Sequence, residues 1–514
     1  MKPKFFVTTP IYYVNGAPHI GHAYTNVAAD VMARFKRLDG HHVFFLTGTD
    51  EHGQKVEKAA AEAGMAALTY VDGISARFRD LTTLLGLSND DFIRTTEARH
   101  IRSCQELWRR VAAAGDIYLG HYEGWYAVRD EAFYGEDELR VMPDGSRIAP
   151  TGVPVEWVRE PSYFFKLSEW SERLLAFYEE HPDFLAPVST RNEVISFVKG
   201  GMHDLSVSRT SFKWGIPVPD DAAHVMYVWF DALTNYLTAT GFPDERAERA
   251  GFWPPDLHMV GKEITRFHCV YWPAFLLSAG LRPPKRVFAN GWMTVDGQKM
   301  GKSMGNAIDP WALVARYGLD PLRFFLMREI PFGQDGDFSP RALVQRLNGE
   351  LANELGNLAQ RSLSLVARHC EGRMPSRGAA TEDDATLLAL AEALPLRLRT
   401  ALGRQAMGEA LEATWQVVRA ANAYIDRQAP WTLAKTDRAR MAAVLRVLAD
   451  VLRALATVLQ PFMPGSMARM LDQLGVAPDQ RDLADLANPV PDATVLPAPS
   501  PVFPRFVDED RGAD

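Results

Sequence analysis

The chain has 514 residues, 47% hydrophobic and 23% charged, a balance that excludes a disordered or fibrous protein and gives length for three or four domains. Its 56 basic and 64 acidic residues leave a net charge of −8, so a basic footprint for nucleic acid over the whole protein is absent, although a local patch is compatible with that total. The 3 cysteines, Cys104, Cys269 and Cys370, form no pair motif, which excludes a disulfide framework and points to a reducing, cytoplasmic compartment.

The apolar run Phe5-Phe6-Val7 is too short for a signal segment, and no window reaches the ~18 apolar residues of a membrane span. Residues 4–9 read instead as a short buried strand, followed by the turn residues Pro10, Asn15, Gly16 and Pro18. From His19 onward Val27, Val31, Phe35 and Leu38 recur at helical spacing. Residues 42–46 form a second apolar strand closed by Thr47-Gly48-Thr49-Asp50, and a helix rich in Ala, Glu and Lys follows. Strand and helix in alternation argue for a parallel α/β sheet. Residues 118–221, rich in Tyr, Trp, Gly and Pro, break that rhythm and read as an inserted, β-containing module. The alternation resumes with Tyr227-Val228-Trp229-Phe230, residues 257–261 and Arg286-Val287-Phe288, so 1–117 and 222–294 read as two halves of one domain. A linking segment spans 295–345, and 346–488 is almost wholly helical. The tail, 489–514, holds six prolines between 489 and 504 before the acidic run Asp508-Glu509-Asp510; it either packs back on the body or hangs loose.

Two segments carry phosphate chemistry. In Pro18-His19-Ile20-Gly21-His22, between strand and helix, the N–H groups of a helix N-terminus favour an anion. His19 and His22, at i and i+3, share one face and suit donation to phosphate oxygens, and Gly21 lets a nucleotide approach the backbone. The second segment runs from Asp296 to Asn306, with three glycines and with Lys299 and Lys302 spaced to close on one anion. Such a loop suits a departing pyrophosphate. Taken singly, the first segment is equally a pair of surface histidines, and a loop like the second is more often a solvated turn.

Together, in this order and 280 positions apart, they match the paired signatures of class I aminoacyl-tRNA synthetases. Lys299-Met300-Gly301-Lys302-Ser303 resembles the second signature, Lys-Met-Ser-Lys-Ser, with Gly301 in place of a serine and both lysines kept. Thr8-Thr9-Pro10-Ile11-Tyr12-Tyr13-Val14-Asn15-Gly16, Gly48-Thr49-Asp50-Glu51-His52-Gly53 and Tyr227-Val228-Trp229-Phe230-Asp231-Ala232 resemble the methionyl-tRNA synthetases, as do Val260-Gly261-Lys262-Glu263, Phe267-His268 and Trp272-Pro273. The resemblance runs over essentially the whole chain. It implies a Rossmann-like catalytic domain, an inserted connective module and an all-α anticodon-binding bundle.

It also implies the substrates and the residues that meet them. ATP with Mg²⁺ would be bound by Gly21, Gly261, Glu263, Lys299, Lys302 and Ser303, with His19, His22, Lys299 and Lys302 acting in catalysis. Methionine would sit among Ile11, Tyr13, Trp229, Ala232, Tyr236, Phe267, His268 and Trp272, with Asp50 on its α-ammonium group. Rings suit a thioether, because each sulfur–aromatic contact contributes ~0.3–1.5 kcal/mol. Leu233 stands where a proline is common in the family. For tRNA(Met) the resemblance assigns Asn357, Arg361 and the stacking Trp431 to the anticodon. The residues agree: Asn353, Asn357 and Arg361 recur every four positions on one helix face, opposite Leu351, Leu355 and Leu358. Residues 351–460 hold 14 basic and 11 acidic residues, whereas 461–514 hold 4 and 9, so the bundle is mildly basic and the tail carries the acid.

Many relatives bear Cys-x-x-Cys zinc knuckles in the inserted module. Residues 118–221 contain no cysteine, and His121, His181 and His203 lack ligand spacing, so no structural zinc is expected. The module is also shorter than the editing domains of the isoleucine, valine and leucine enzymes, which speaks against those specificities. No further dimerising domain follows the bundle, and a monomer with no membrane partner is expected.

Overall fold

Strand β1 (Lys4–Tyr13) continues well past the six residues that its apolar run suggests. Its partner β2 (His42–Asp50) keeps pairing through a register shift between Thr8 and Ile11, and Pro10, which has no N–H to donate, falls in that irregularity. The structure is a computed structural model and describes residues 2–130, 132–295, 298–299 and 308–507. The remaining strands that matter here are β3 (Asp91–Arg94), β4 (Ile117–Ala127), β5 (Ala132–Tyr134), β6 (Glu156–Phe165), β7 (Leu185–Ala186), β8 (Leu257–Gly261) and β9 (Val287–Asn290). Six of them form one parallel sheet in the order β3-β2-β1-β8-β9-β7. The chain winds outward in opposite directions from β1 and β8, and the crevice between two such strands is where open α/β sheets bind ligands.

Helix α1 (Ile20–Leu38) follows β1 and is buried on almost every side, because strands cover one face and α3 (Leu319–Glu329) packs on another. Between these two helices lies a fully buried guanidinium. Arg323 donates to Asp30 Oδ2 at 2.7 Å, to Leu85 O at 3.1 Å, and to Pro461 O and Phe462 O at 2.8 and 3.1 Å. Burial works against the Asp30 charge, yet Arg323 and Arg34 hold its carboxyl below the usual range.

Two readings from the sequence change in detail. The stretch 118–221 is not wholly a separate module: β7 pairs in parallel with β9 and forms an edge of the main sheet. A two-residue strand closed by Pro187 leaves no periodic trace. The rest of the module is built on an antiparallel sheet in which β4 lies between β6 and β5. Second, Tyr227-Val228-Trp229-Phe230 opens the helix α2 (Val228–Leu233), not an extended element. A short run of apolar residues buried on all sides has no period by which strand and helix differ.

Beyond α3, after the two-residue strand Gly336–Asp337, the chain is mainly helical up to its tail, with α4 (Asn357–His369), α5 (Met407–Gln428) and α6 (Arg438–Leu459) at its centre. α6 is apolar on nearly all sides and sits in the middle of the bundle. Its buried Arg446 donates to Val490 O at 2.7 Å and to Asp492 at 2.6 Å, while Val490, Leu496, Val502 and Phe503 are buried. The tail therefore packs back on the bundle as far as it is described; Asp508, Glu509 and Asp510 lie outside the described residues. Among the described residues no helix is long and apolar enough to cross a membrane.

Candidate functional site

A cavity of ≈ 360 Å³ lies at the C-terminal ends of β1, β2, β8 and β9. Its lining brings together Ile11, Tyr13, His19, Gly21, His22, Asp50, Trp229, Ala232, Tyr236, Gly261, Glu263 and His268, all singled out from sequence. Phe267 and Trp272 do not line it. Phe267 stacks behind Trp229, ring centroids 3.6 Å apart and 7° from parallel, and Trp272 is fully buried with its ring 6.2 Å from that of Tyr236. Lys299 ends a two-residue strand paired with Thr294, whereas Lys302 and Ser303 lie outside the described residues.

The two signature histidines are fixed in tautomer by the backbone. His19 is the N-cap of α1, and its Nδ1 accepts from Gly21 N–H at 3.1 Å. His22 Nδ1 accepts from His19 N–H, also at 3.1 Å. An amide N–H only donates, so each Nδ1 is unprotonated and each neutral imidazole carries its hydrogen on Nε2. The rings lie 3.9 Å apart, and Tyr12 and Phe78 box His22 at 4.9 and 5.3 Å. Two Nε2–H donors thus stand together at a helix N-terminus. A Cβ on Gly21 would lie 2.9 Å from the His19 ring, so glycine at this position also lets that imidazole fold over the turn.

On the far wall, burial pushes the His268 imidazole down to about 4, leaving it neutral at physiological pH. Its Nδ1–H donates to Ile264 O at 3.0 Å, so Nε2 is the acceptor for the Tyr236 hydroxyl at 2.8 Å. Tyr236 also reaches Thr9 O at 3.4 Å and therefore links the wall to β1. Trp229, Ala232, Leu233, Asn235 and Tyr236 come from α2 and the turn after it, which stands side-on to the cavity.

Sequence reasoning missed what holds α2 in place. Asp231, fully buried, takes His52 Nδ1 on one oxygen at 2.6 Å and His100 Nε2 on the other at 2.7 Å. Burial opposes its charge, and the two imidazoles nevertheless keep its carboxyl below the usual range. His52 follows Asp50 by two residues, so this network ties the end of β2 to α2. Cys104 Sγ lies 3.2 Å from His100 Nε2, and His100, Cys104 and Asp231 are the one group among the described residues with metal-ligating types close together. Two donors on one tetrahedral zinc stand about 3.3 Å apart. The 2.7 Å separation of His100 and Asp231 is a hydrogen bond instead.

At the other end, Glu263 curls over Gly261, where a Cβ would meet its carboxylate at 2.5 Å. Trp292 Nε1–H donates to Glu263 at 2.9 Å, and Lys262, paired with Asp335 at 2.6 Å, lies 3.7 Å from the Trp292 ring centroid. Trp292, Asn290, Arg129 and Asp130 also line the cavity and carried no signal of their own, although Trp292 stands just ahead of the second signature.

Two family models match the chain: "tRNA synthetases class I (M)" over residues 5–363 and "Anticodon binding domain of methionyl tRNA ligase" over 374–513. The methionine–tRNA ligase of Brucella suis is 55% identical over 511 residues, 99% of each chain. The chain belongs to the methionyl-tRNA synthetase family. Among solved structures, the Mycobacterium tuberculosis methionyl-tRNA synthetase in complex with methionyl-adenylate superimposes with a TM-score of 0.96 at 53% identity, covering 98% of this chain and 100% of that one. The free form of that synthetase gives 0.90 at 50% identity, covering 99% of each.

The anticodon-domain match covers α5, α6 and the tail but begins beyond α4, which ends the part matched by the synthetase model. A π-helical stretch, Leu347–Gly356, leads into α4 and keeps Leu351, Leu355 and Leu358 buried with Asn353 and Asn357 exposed. Arg361 pairs with Asp426 at 2.7 Å, and its guanidinium lies 5.3 Å from the ring centroid of Trp431. Trp431 is 42% exposed, so it is not the core anchor that a tryptophan after a proline suggests. Ala429, left-handed at φ 43°, turns the chain between α5 and the short helix Pro430–Thr436 that carries it.

Proposed function

We infer that the chain is a methionine–tRNA ligase: it condenses methionine and ATP to methionyl-adenylate and pyrophosphate, then passes methionyl to the 3′-terminal adenosine of initiator and elongator tRNA(Met). The reading is carried by one observation, the convergence of His19, His22, Asp50, Trp229 and Glu263 on a single cavity at the switch point of the sheet. Asp50 receives the α-ammonium group. Ile11, Tyr13, Ala232, Tyr236, His268 and the Trp229 ring enclose the side chain, with Phe267 and Trp272 supporting from behind. Gly261 and Glu263 receive the adenosine.

The methionine carboxylate attacks the α-phosphorus in line, and the bond to the pyrophosphate oxygen breaks. No protein atom becomes covalently attached, so positioning and charge stabilisation supply the rate. The Nε2–H groups of His19 and His22 donate to the triphosphate, and Lys299, Lys302 and Ser303 meet the leaving pyrophosphate. Mg²⁺, which keeps several waters and binds chiefly through substrate phosphates, asks for no dedicated protein cage and adds charge neutralisation when bound. In the second step a ribose hydroxyl of the tRNA attacks the activated carbonyl and AMP leaves. Asn357, Arg361 and Trp431 read the anticodon, with Trp431 as a stacking face.

The free thiols Cys104, Cys269 and Cys370 suit a cytoplasmic setting, and we assign a monomer that needs no structural zinc. Methionine-dependent ATP–pyrophosphate exchange tests the core of this reading, and a protein silent in it is not this ligase. Lys302→Ala is expected to lower exchange strongly with little change in methionine affinity; unchanged exchange removes Lys302 from the reaction.

A further inference from the structure

One turn of the inserted module reaches the cavity. Arg129 and Asp130, between β4 and β5, are the module's residues in its described lining. The turn is braced on several sides. Asp130 N–H donates to Ala127 O at 3.2 Å, the Tyr134 hydroxyl donates to the Asp130 carboxylate at 3.0 Å, and the Thr151 hydroxyl bonds the same oxygen. Arg129 in turn donates from Nε to Asp130 at 3.3 Å and from Nη2 to Thr151 O at 3.1 Å.

Two consequences follow from this bracing. The guanidinium is oriented, yet its side chain remains 51% exposed, which places it at the rim. Of five guanidinium hydrogens, two are used in those bonds, and the other three suit a two-pronged grip on a phosphate. The charge balance of the cavity gives this grip a purpose. Its described lining contains the carboxylates of Asp50, Asp130 and Glu263, and Arg129 is the one permanent cation among them.

We propose that Arg129 holds the last phosphodiester of the tRNA 3′ end during transfer of methionyl from the adenylate. This rests on the ligase reading given above. The triphosphate has its own donors at the α1 N-terminus, from His19 and His22. A strand of RNA, by contrast, enters from solvent and passes the rim before its terminal ribose reaches the adenylate. A single oriented guanidinium on a module outside the sheet meets that strand where it turns inward, and fixes the ribose for attack.

The test compares two rates in the full-length protein: single-turnover transfer from preformed enzyme-bound methionyl-adenylate to tRNA(Met), and methionine-dependent pyrophosphate exchange. Arg129→Ala is expected to lower transfer ten- to a hundredfold more than it lowers exchange. It also flattens the log–log salt dependence of kcat/KM for tRNA by about 0.7–0.9, the signature of one lost phosphate contact. Arg129→Lys restores the salt slope but less of the rate, because an ammonium lacks the two-pronged geometry. Arg129→Gln, a polar replacement in the same turn, repeats the alanine result if charge is what matters. Equal losses in transfer and exchange assign Arg129 to ATP and overturn the proposal, as does unaltered transfer. A wild-type protein without exchange overturns the ligase reading itself, a separate outcome.

Discussion

In the cavity, the Trp229 ring is backed by Phe267, the Tyr236 ring by the buried His268, and α2 as a whole by the buried Asp231 between two imidazoles. On the helical face, Asn357 is exposed, while Arg361 and Trp431 stand against each other in partial contact with solvent, with one ion pair to Asp426. On the ligase reading proposed above, the two regions differ because their ligands differ. A small thioether amino acid must be told from its near-isosteres inside one pocket, where a methylene is worth only ~1–3 kcal/mol, so wall positions need fixing. Splayed RNA bases bring their own hydrogen-bonding edges and π-faces, and an open stacking surface suffices. Damage in the cavity should therefore spread through its supports, and damage on the helical face should stay local.

The largest effect is expected at Asp231. Asp231→Ala leaves two buried imidazoles without their carboxylate, and breaking such a buried pair costs about 3–5 kcal/mol. Urea unfolding and the KM for methionine in exchange should both register it; a variant as stable as the parent would mean that α2 is held by packing alone. Next comes Trp431→Ala, with kcat/KM for tRNA reduced by about 5- to 150-fold, from a stacking contribution of ~1–3 kcal/mol. Its unfolding midpoint should stay within a degree or two of the parent, and a marked loss of stability would make Trp431 a structural residue and erase the contrast. The smallest effect concerns acid. The folded His268 imidazole titrates near about 4, below its unfolded value, so between the two the unfolded chain binds the extra proton. Its contribution to stability is complete above about pH 6.5 and is lost as pH falls toward 4. Methionine affinity should thus be flat from about pH 6.5 to 8, and an inflection near neutrality that His268→Gln removes would contradict the buried, neutral imidazole.

Which parts were legible follows from the range of the interactions. His19, Gly21 and His22 are read from five consecutive residues because the chemistry, an N-terminal helical turn with imidazoles on it, is itself local. Asp50 is read from its place at the end of an apolar strand. The partnership of Asp231 with His100 spans 131 positions, and neither residue has a spacing that announces the other. Arg129 was missed because it lies in an irregular turn of the module, where no period exists. The same holds for β7, whose two residues join the sheet only because β9 offers them an edge. The rings of Phe267 and Trp272 look from sequence like any other aromatic wall; stacking on Trp229 places the half-buried Phe267, and full burial places Trp272, in the rank behind it.

Arg323 bears on how the protein can be divided. Its guanidinium takes partners from the first signature helix, from the turn after residue 84 and from the turn that follows α6, up to 293 positions away. Contacts of such separation close late, after the chain entropy of large loops has been overcome. A fragment ending at the linking segment would retain Asp30 and Leu85 O but forfeit both carbonyls of Pro461 and Phe462, leaving a buried cation half-satisfied. The boundary between the two family-model matches, which falls between residues 363 and 374, is therefore not a seam along which the folded molecule comes apart.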